Sequence, residues 1–255
     1  MIAEARPAST VIILRDAGSG PEVLMLKRSG RSGFFPNAWV FPGGRVDPGD
    51  SIAATIGQAA GLPERDAAYA VAAIRETFEE AGVWMGTGTA TDTFRRALND
   101  RQATLGHAPD LAADLGRLTF WSWWVTPENE PKRYNTRFFV TVLRSDEAQH
   151  ASADQVETVE HRWIRPVDAV NEAEAGRLLM APPTYLTLAE MTHCETGRAV
   201  VAMAENRTIR PIMPKLDIRD GQWTVVLPGD PAYPAEHDVT GPTRAAYKDG
   251  RWRRS

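Results

Sequence analysis

The chain has 255 residues, 43% hydrophobic and 24% charged, with a formal net charge of −4, an ordinary globular composition long enough for one large core. The mild acidity argues against nucleic acid as the main partner, since such binders carry a basic face, but it leaves room for a small anionic substrate held by a few arginines. One cysteine, Cys194, and five scattered histidines argue against a disulfide framework and a cysteine-based zinc cluster, and the short apolar run near the N-terminus suits neither a signal peptide nor a membrane span, so the expected setting is cytoplasmic with no membrane partner.

Residues 10–15 (TVIILR) and 22–28 (EVLMLKR) are β-branched or aliphatic runs around the turn segment GSGP, which predicts a hairpin. Residues 39–41 (WVF) predict a third short strand, stopped by Pro42 and the pair Gly43 and Gly44, and residues 45–62 read as loop. Pro63 suits the first turn of a helix. Val71, Ile74 and Phe78 then form an apolar stripe at i, i+3, i+7 that ends at Gly82. Residues 93–105 predict a second helix and 110–115 a short third. Segments 118–127 (LTFWSWWVTP), 135–144 (NTRFFVTVLR) and 156–164 (VETVEHRWI) predict strands, and 166–175 and 183–194 predict helices. From Asn206 the pattern changes to short strands and turns, which reads as an appended hairpin or arm. This order predicts an α/β (α+β) sandwich around a mixed sheet.

The helix around 72–83 (AAIRETFEEAGV) poses a problem of its own. Glu76, Glu79 and Glu80 fall at i, i+3 and i+4 on one face, where like charges cost about 0.2–0.5 kcal/mol per pair. Arg75, four residues before Glu79, offsets part of this. An acidic helix face is ordinarily just solvated. Hard divalent cations, however, prefer carboxylate oxygens together with substrate phosphates, and a glycine pair at a strand end lets backbone approach a ligand closely.

Taken together, Gly44, Asp50 after five intervening residues, and Arg75-Glu76-Thr77-Phe78-Glu79-Glu80-Ala81-Gly82 resemble the Nudix hydrolase signature. Three positions depart from it. Asp50 stands where a glutamate is usual, Thr77 replaces an aliphatic residue, and the spacer 51–74 is far longer than in the usual box. The extended box, with LKRS at 26–29, the TP and RY-TRFF segment of 126–139, and RWI and PPT within 162–184, is similar to the branch of peroxisomal coenzyme A diphosphatase-like Nudix hydrolases. The resemblance covers roughly residues 8–195.

The resemblance implies a Nudix-type α/β/α sandwich over residues 1–205, with an insertion near 51–66 inside the box. Residues 206–255 would be a C-terminal extension packed on the same domain. It implies that Glu76, Glu79 and Glu80, with the Gly44 carbonyl, bind Mg²⁺ or Mn²⁺. The metal would bridge diphosphate oxygens and activate water, while Arg75 orients Glu79 or Glu76 and Asp50 is structural. The base would be a helix glutamate or an acid of the loop 146–157, which offers Glu147, Asp154 and Glu157. The substrate would be a nucleoside diphosphate linked to another moiety, with coenzyme A or acyl-coenzyme A suggested by the branch. ADP-ribose, NADH and other dinucleotides are the alternatives, and a nucleotide-binding module without catalysis is a third reading. Arg28 and Arg31 are candidates for the coenzyme A phosphates, although Phe34 and Phe35 stand where the later basic position of that signature would fall. Arg137 is a second phosphate candidate and Tyr134 a ring to meet the base. A homodimer is expected from the resemblance alone.

Overall fold

The computed structural model describes residues 2–32, 35–51, 64–108, 110–219, 222–233 and 242–254. β1 (Ala5–Ala17) and β2 (Gly20–Arg28) form the expected hairpin, followed by β3 (Trp39–Val40), β4 (Gly43–Arg45) and helix α1 (Glu64–Ala81). Next come β5 (Gly86–Thr87), α2 (Asp92–Asn99), β6 (Ala112–Ala113), β7 (Thr119–Val125), β8 (Arg133–Val142), α3 (Ser145–Ala148) and β9 (Thr158–Ile164). Helices α4 (Pro166–Glu174), α5 (Pro182–Met191) and α6 (Gly197–Glu205) lead to β10 (Pro211–Ile212). β11 (Lys215–Arg219), β12 (Gln222–Val226), β13 (Arg244–Lys248) and β14 (Arg251–Arg254) complete the chain.

β1 and β2 organise a mixed sheet of eight strands. The second half of β1 pairs antiparallel with β2, from Leu14 opposite Val23 to Ala17 opposite Gly20. Its first half pairs antiparallel with β4, and β8 runs parallel along its other edge. β7 extends the sheet beyond β8, and β2 carries β3 and β9. Side chains alternate across a strand, so β1 serves two cores. Val11 and Ile13 meet α1 through Ala70, Val71, Ala73 and Ile74, while Ile12 and Leu14 face α4, α5 and α6 through Val170, Leu188 and Val200. Each fully buried Val or Ile here contributes about 1.5–3 kcal/mol. The result is the expected α/β/α sandwich around a mixed sheet.

The alanines of α1 keep its buried face shallow, so the helix lies close against the sheet and its carboxylate face meets β4. The helix ends at Gly82, whose φ of +70° is left-handed and whose N–H donates to Phe78 O at 2.9 Å. The Pro63 start and most of the 45–62 loop lie outside the described residues.

Several expectations are corrected. The second helix stops at Asn99, short of Leu105, because Arg101 turns to φ +57° and its N–H bonds back to Leu98 O. Residues 110–115 do not form a helix. Ala112 and Ala113 pair with Thr87 and Gly86, a partner too distant for local periodicity to reveal. Helix α6 was not anticipated. The tail is more than a hairpin: β11 to β14 form an antiparallel four-stranded sheet, and Val225, Ala245 and Trp252 join the core beneath α4 to α6. Of the tryptophan run, Trp121 and Trp124 are core, and a bulge between Phe120 and Ser122 turns both to that side.

Candidate active site

The last two turns of α1 bring Glu76, Glu79 and Glu80 against β4. A Cβ on Gly44 would collide with the Glu76 carboxyl, so glycine is what lets that carboxylate lie on the strand. The neighbouring Gly43 N–H donates to Glu80 Oε2 at 3.0 Å. The glycine pair of the loop and the glutamates of the helix thus form one contact.

Arg75 is the hub. Its Nε and Nη2 bond the two oxygens of Asp50 at 2.8 and 3.0 Å, a fork-to-fork pair. Nη2 also bonds Arg45 O at 2.8 Å. Nη1 is shared between Glu76 Oε1 at 3.0 Å and Glu79 Oε1 at 3.1 Å. Asp50 and Arg75 are 1% and 6% exposed, so this pair forms inside the protein, and Asp50 also accepts the Asp47 N–H at 2.7 Å. Asp50 therefore holds Arg75, and Arg75 holds the two glutamates.

One guanidinium does not neutralise this many acids. Burial pushes Glu76 up to about 7 against the pull of Arg75. Burial also raises Glu79, with Arg75 opposing. Glu80 lies well above the carboxylate range through burial and the Glu76 charge, with the Gly43 N–H opposing. Burial disfavours the charge on Arg75, but Asp50, Glu76 and Glu79 outweigh it and keep the guanidinium protonated. The cluster is an under-compensated pocket of hard oxygen donors, suited to a cation or a protonated state.

Of the loop acids, Glu157 is the one whose charge adds to those that raise Glu76 and Glu80, acting from an exposed position. Glu147 is tied elsewhere, with both oxygens on Arg117 at 2.8 Å. Asp154 is spent on its own loop, accepting the N–H groups of Val156, Glu157 and Thr158. Arg28 lies near enough to Glu80 to pull it down, and its guanidinium bonds Ser32 Oγ at 2.7 and 3.1 Å. Arg31 is exposed in the following loop. Arg137 is buried, with Nε on Asp66 at 3.0 Å and Nη1 on Asn135 at 2.8 Å, between the rings of Trp123 and Tyr69. Tyr134 shares the strand face of Phe138 and Val140, opposite the face that meets α1. The structure thus gathers Gly44, Asp50, Arg75, Glu76, Glu79, Glu80, Glu157 and Arg28, and leaves Glu147, Asp154, Tyr134 and Arg137 engaged elsewhere. Sequence reasoning missed Arg95, which bonds Glu79 O at 2.9 Å; its partners are remote in the chain, and the only local sign is the glycine at position 82.

Comparison with known proteins agrees with this architecture. A family model described as the NUDT19 Nudix domain matches residues 52–191, and one described as the NUDIX domain matches residues 5–56. The protein named acyl-coenzyme A diphosphatase NUDT19 from Gallus gallus is 29% identical over 288 residues, covering 86% of this chain and 75% of its own. Putative nudix hydrolase 7 from Caenorhabditis elegans is 30% identical over 238 residues, covering 89% and 75%. The crystal structure of a NUDIX hydrolase from Alicyclobacillus acidocaldarius superposes with a TM-score of 0.68 at 28% identity, covering 79% of this chain and 97% of that one. With the box residues assembled around β4 and a family model spanning more than half of its length, the chain belongs to the Nudix family and is a Nudix hydrolase.

Proposed function

We propose that this Nudix hydrolase cleaves the diphosphate of coenzyme A or acyl-coenzyme A, giving 3′,5′-ADP and the corresponding phosphopantetheine, with Mg²⁺ or Mn²⁺ bound at the α1 carboxylates. The observation that carries the reading is the seating of the α1 carboxylates at the glycine end of β4, Glu76 against Gly44 and Glu80 on the Gly43 N–H, with Arg75 holding Glu76 and Glu79. The substrate assignment leans on the relatives named acyl-coenzyme A diphosphatase.

The donor set fits a hard divalent cation, since carboxyl oxygens of Glu76, Glu79 and Glu80 and the Gly44 carbonyl are what such ions prefer. Among the described residues no three acidic, histidine or cysteine side chains converge into a ready-made metal cage. Mg²⁺ does not require one, because it is ordinarily held by one or two carboxylates with water and substrate phosphates completing the shell. When bound, the cation neutralises diphosphate charge and acidifies water. The chain's own part is positional. Asp50 and Arg75 hold Glu76 and Glu79 in place, and the Gly43 N–H holds Glu80. Glu157 accepts the proton of the attacking water, which adds to one phosphorus while the bridging oxygen leaves with the other phosphate. Arg28 offers positive charge near Glu80 for the remaining phosphates, and Arg31 in the exposed loop after β2 is the second candidate for them. Arg137 and Tyr134 take no direct part in this scheme; Arg137 secures α1 to the sheet. No helix among the described residues is long and apolar enough to cross a membrane; a cytoplasmic setting is part of the proposal. Assembly as a homodimer belongs to the same reading.

A second reading, ADP-ribose or NADH hydrolysis, is favoured by one observation: the Arg28 guanidinium already bonds Ser32, and aromatic residues occupy the later basic position of the coenzyme A signature. Product analysis with Mg²⁺ on coenzyme A, acyl-coenzyme A, ADP-ribose and NADH separates the two. Formation of 3′,5′-ADP, lost in Glu79→Gln, is the expected result. AMP from ADP-ribose or NADH alone would move the enzyme to the second reading. No product from any substrate would overturn both and favour a binding module.

A further inference from the structure

The last four carbonyls of an α-helix have no partner within it. In α1 three of the four are nonetheless occupied. Phe78 O accepts the Gly82 N–H at 2.9 Å, Glu79 O accepts Arg95 Nε at 2.9 Å, and Ala81 O accepts the Ser152 N–H at 2.9 Å. Two of these donors come from α2 and from the loop that carries Glu157. The end of the carboxylate helix is thus capped by the segment that delivers the fourth acid.

Arg95 makes the closest link. Besides Glu79 O, its guanidinium bonds Ser152 Oγ at 3.0 Å through Nη1 and Ser152 O at 2.9 Å through Nη2. One planar group therefore spans the helix end and the loop, with three bonds in a geometry that an ammonium cannot reproduce. Its charge also suits the negative end of the helix. Gly82 makes the space for it: a Cβ there would stand 2.9 Å from Arg95 Nη1 and 3.1 Å from Ser152 Oγ. Beyond Ser152, Asp154 fixes the turn by accepting the N–H groups of Glu157 at 3.2 Å and Thr158 at 2.8 Å.

We infer that Arg95 is a positioning residue, which clasps the C-terminal end of the carboxylate helix to the loop 152–158 and so sets the placement of Glu157 against Glu76 and Glu80. The inference rests on the proposed role of Glu157 as proton acceptor. The glycine that closes the box motif then has two duties, a left-handed turn and room for this guanidinium.

The test uses the full chain and four variants: Arg95→Ala, Arg95→Lys, Glu157→Gln and the Arg95→Ala/Glu157→Gln double. Two readouts are taken, steady-state turnover with Mg²⁺ on the substrate identified by product analysis, and amide hydrogen exchange across 152–158 in the metal-free protein. Arg95→Ala should lose about 10-fold or more in kcat with KM within about twofold, as misplacement of a reacting group does. Added methylguanidinium should restore part of that loss, and exchange at the Ser152 amide should accelerate. Glu157→Gln should lose about 100-fold, and the double variant should be no worse than Glu157→Gln, because Arg95 acts through it. Arg95→Lys keeps the charge without the fork and should behave like Arg95→Ala, which preserves the test should the alanine variant fold poorly. Wild-type kcat in both Arg95 variants, unchanged exchange, or losses that multiply in the double would overturn the inference. A fully active Glu157→Gln would overturn the role of Glu157 itself, and the exchange measurement, which needs no turnover, tells that failure from failure of the clasp.

Discussion

Arg75 serves five acceptors with one charge: both oxygens of Asp50, Arg45 O, Glu76 and Glu79. Asp50 is nearly as buried as any core residue, so the pair persists through its hydrogen bonds rather than through net Coulomb gain. Removing one partner is therefore far costlier than the pair is worth. Arg75→Met should destabilise the protein by about 3–5 kcal/mol, because Asp50 is left charged and unpaired; equilibrium urea unfolding reads this directly, and a loss below 1 kcal/mol would show that Asp50 escapes to water or takes a proton. Gly44 makes a second prediction. Its missing side chain is what admits the Glu76 carboxylate, so Gly44→Ala should displace that carboxylate. The stability cost should be about 1–3 kcal/mol, whereas Mg²⁺-dependent turnover should fall about 100-fold. Parallel measurement of unfolding and kcat would expose the opposite pattern, a large stability loss with intact turnover. The motif residues were legible in the sequence because all but Gly44 and Asp50 fall within two helical turns. Asp50 was read as structural on resemblance alone; its bond to Arg75 spans 25 positions, beyond any local pattern.

At the scale of elements, α1 is fastened to the sheet at both ends. Its apolar middle, Val71 and Ile74, was visible as a stripe at helical spacing and packs on Val11 and Ile13 as that stripe requires. The fastenings were not visible, because each joins residues far apart in sequence. Near the N-terminal end, Asp66 meets Arg137 of β8, which lies 3.7 Å from the Trp123 ring centroid and 4.7 Å from that of Tyr69. Asp66 lies within the long spacer 51–74, in the first turn of α1, so this ion pair ties the start of the helix to the sheet. That assignment differs from a phosphate-binding role for Arg137, which shares with Asn135 the strand face that meets the helix. Arg137→Met should cost about 3–5 kcal/mol by removing the cation from its buried pair with Asp66, while Asp66→Leu with Arg137→Met should recover part of that loss. A double-mutant cycle in urea measures the coupling, and additive single losses would mean that the two side chains act independently.

At the scale of the molecule, the tail completes a core rather than decorating one. The change of pattern at Asn206 was legible as short strands and turns, but its place in the fold was not, since beyond the neighbouring Tyr247 ring Trp252 finds Tyr185 and Met180 more than 60 residues upstream. Its ring stacks on Tyr185 of α5 with centroids 5.7 Å apart, and its indole N–H donates to Met180 O at 2.8 Å. Val225, Ala245 and Trp252 lie in the same apolar cluster as Ile12 and Leu14 of the central sheet. We propose on this basis that residues 206–255 are an extension of the domain formed by residues 1–205 and unfold with it, because a shared core couples the stability of its parts. Trp252→Ala should then lower the stability of the whole chain by about 3–5 kcal/mol. Urea unfolding followed by far-ultraviolet circular dichroism and by tryptophan fluorescence should give one coincident transition in wild type and variant alike. Two separated transitions, with Trp252→Ala shifting only one, would make the tail a unit of its own and leave the carboxylate site indifferent to it.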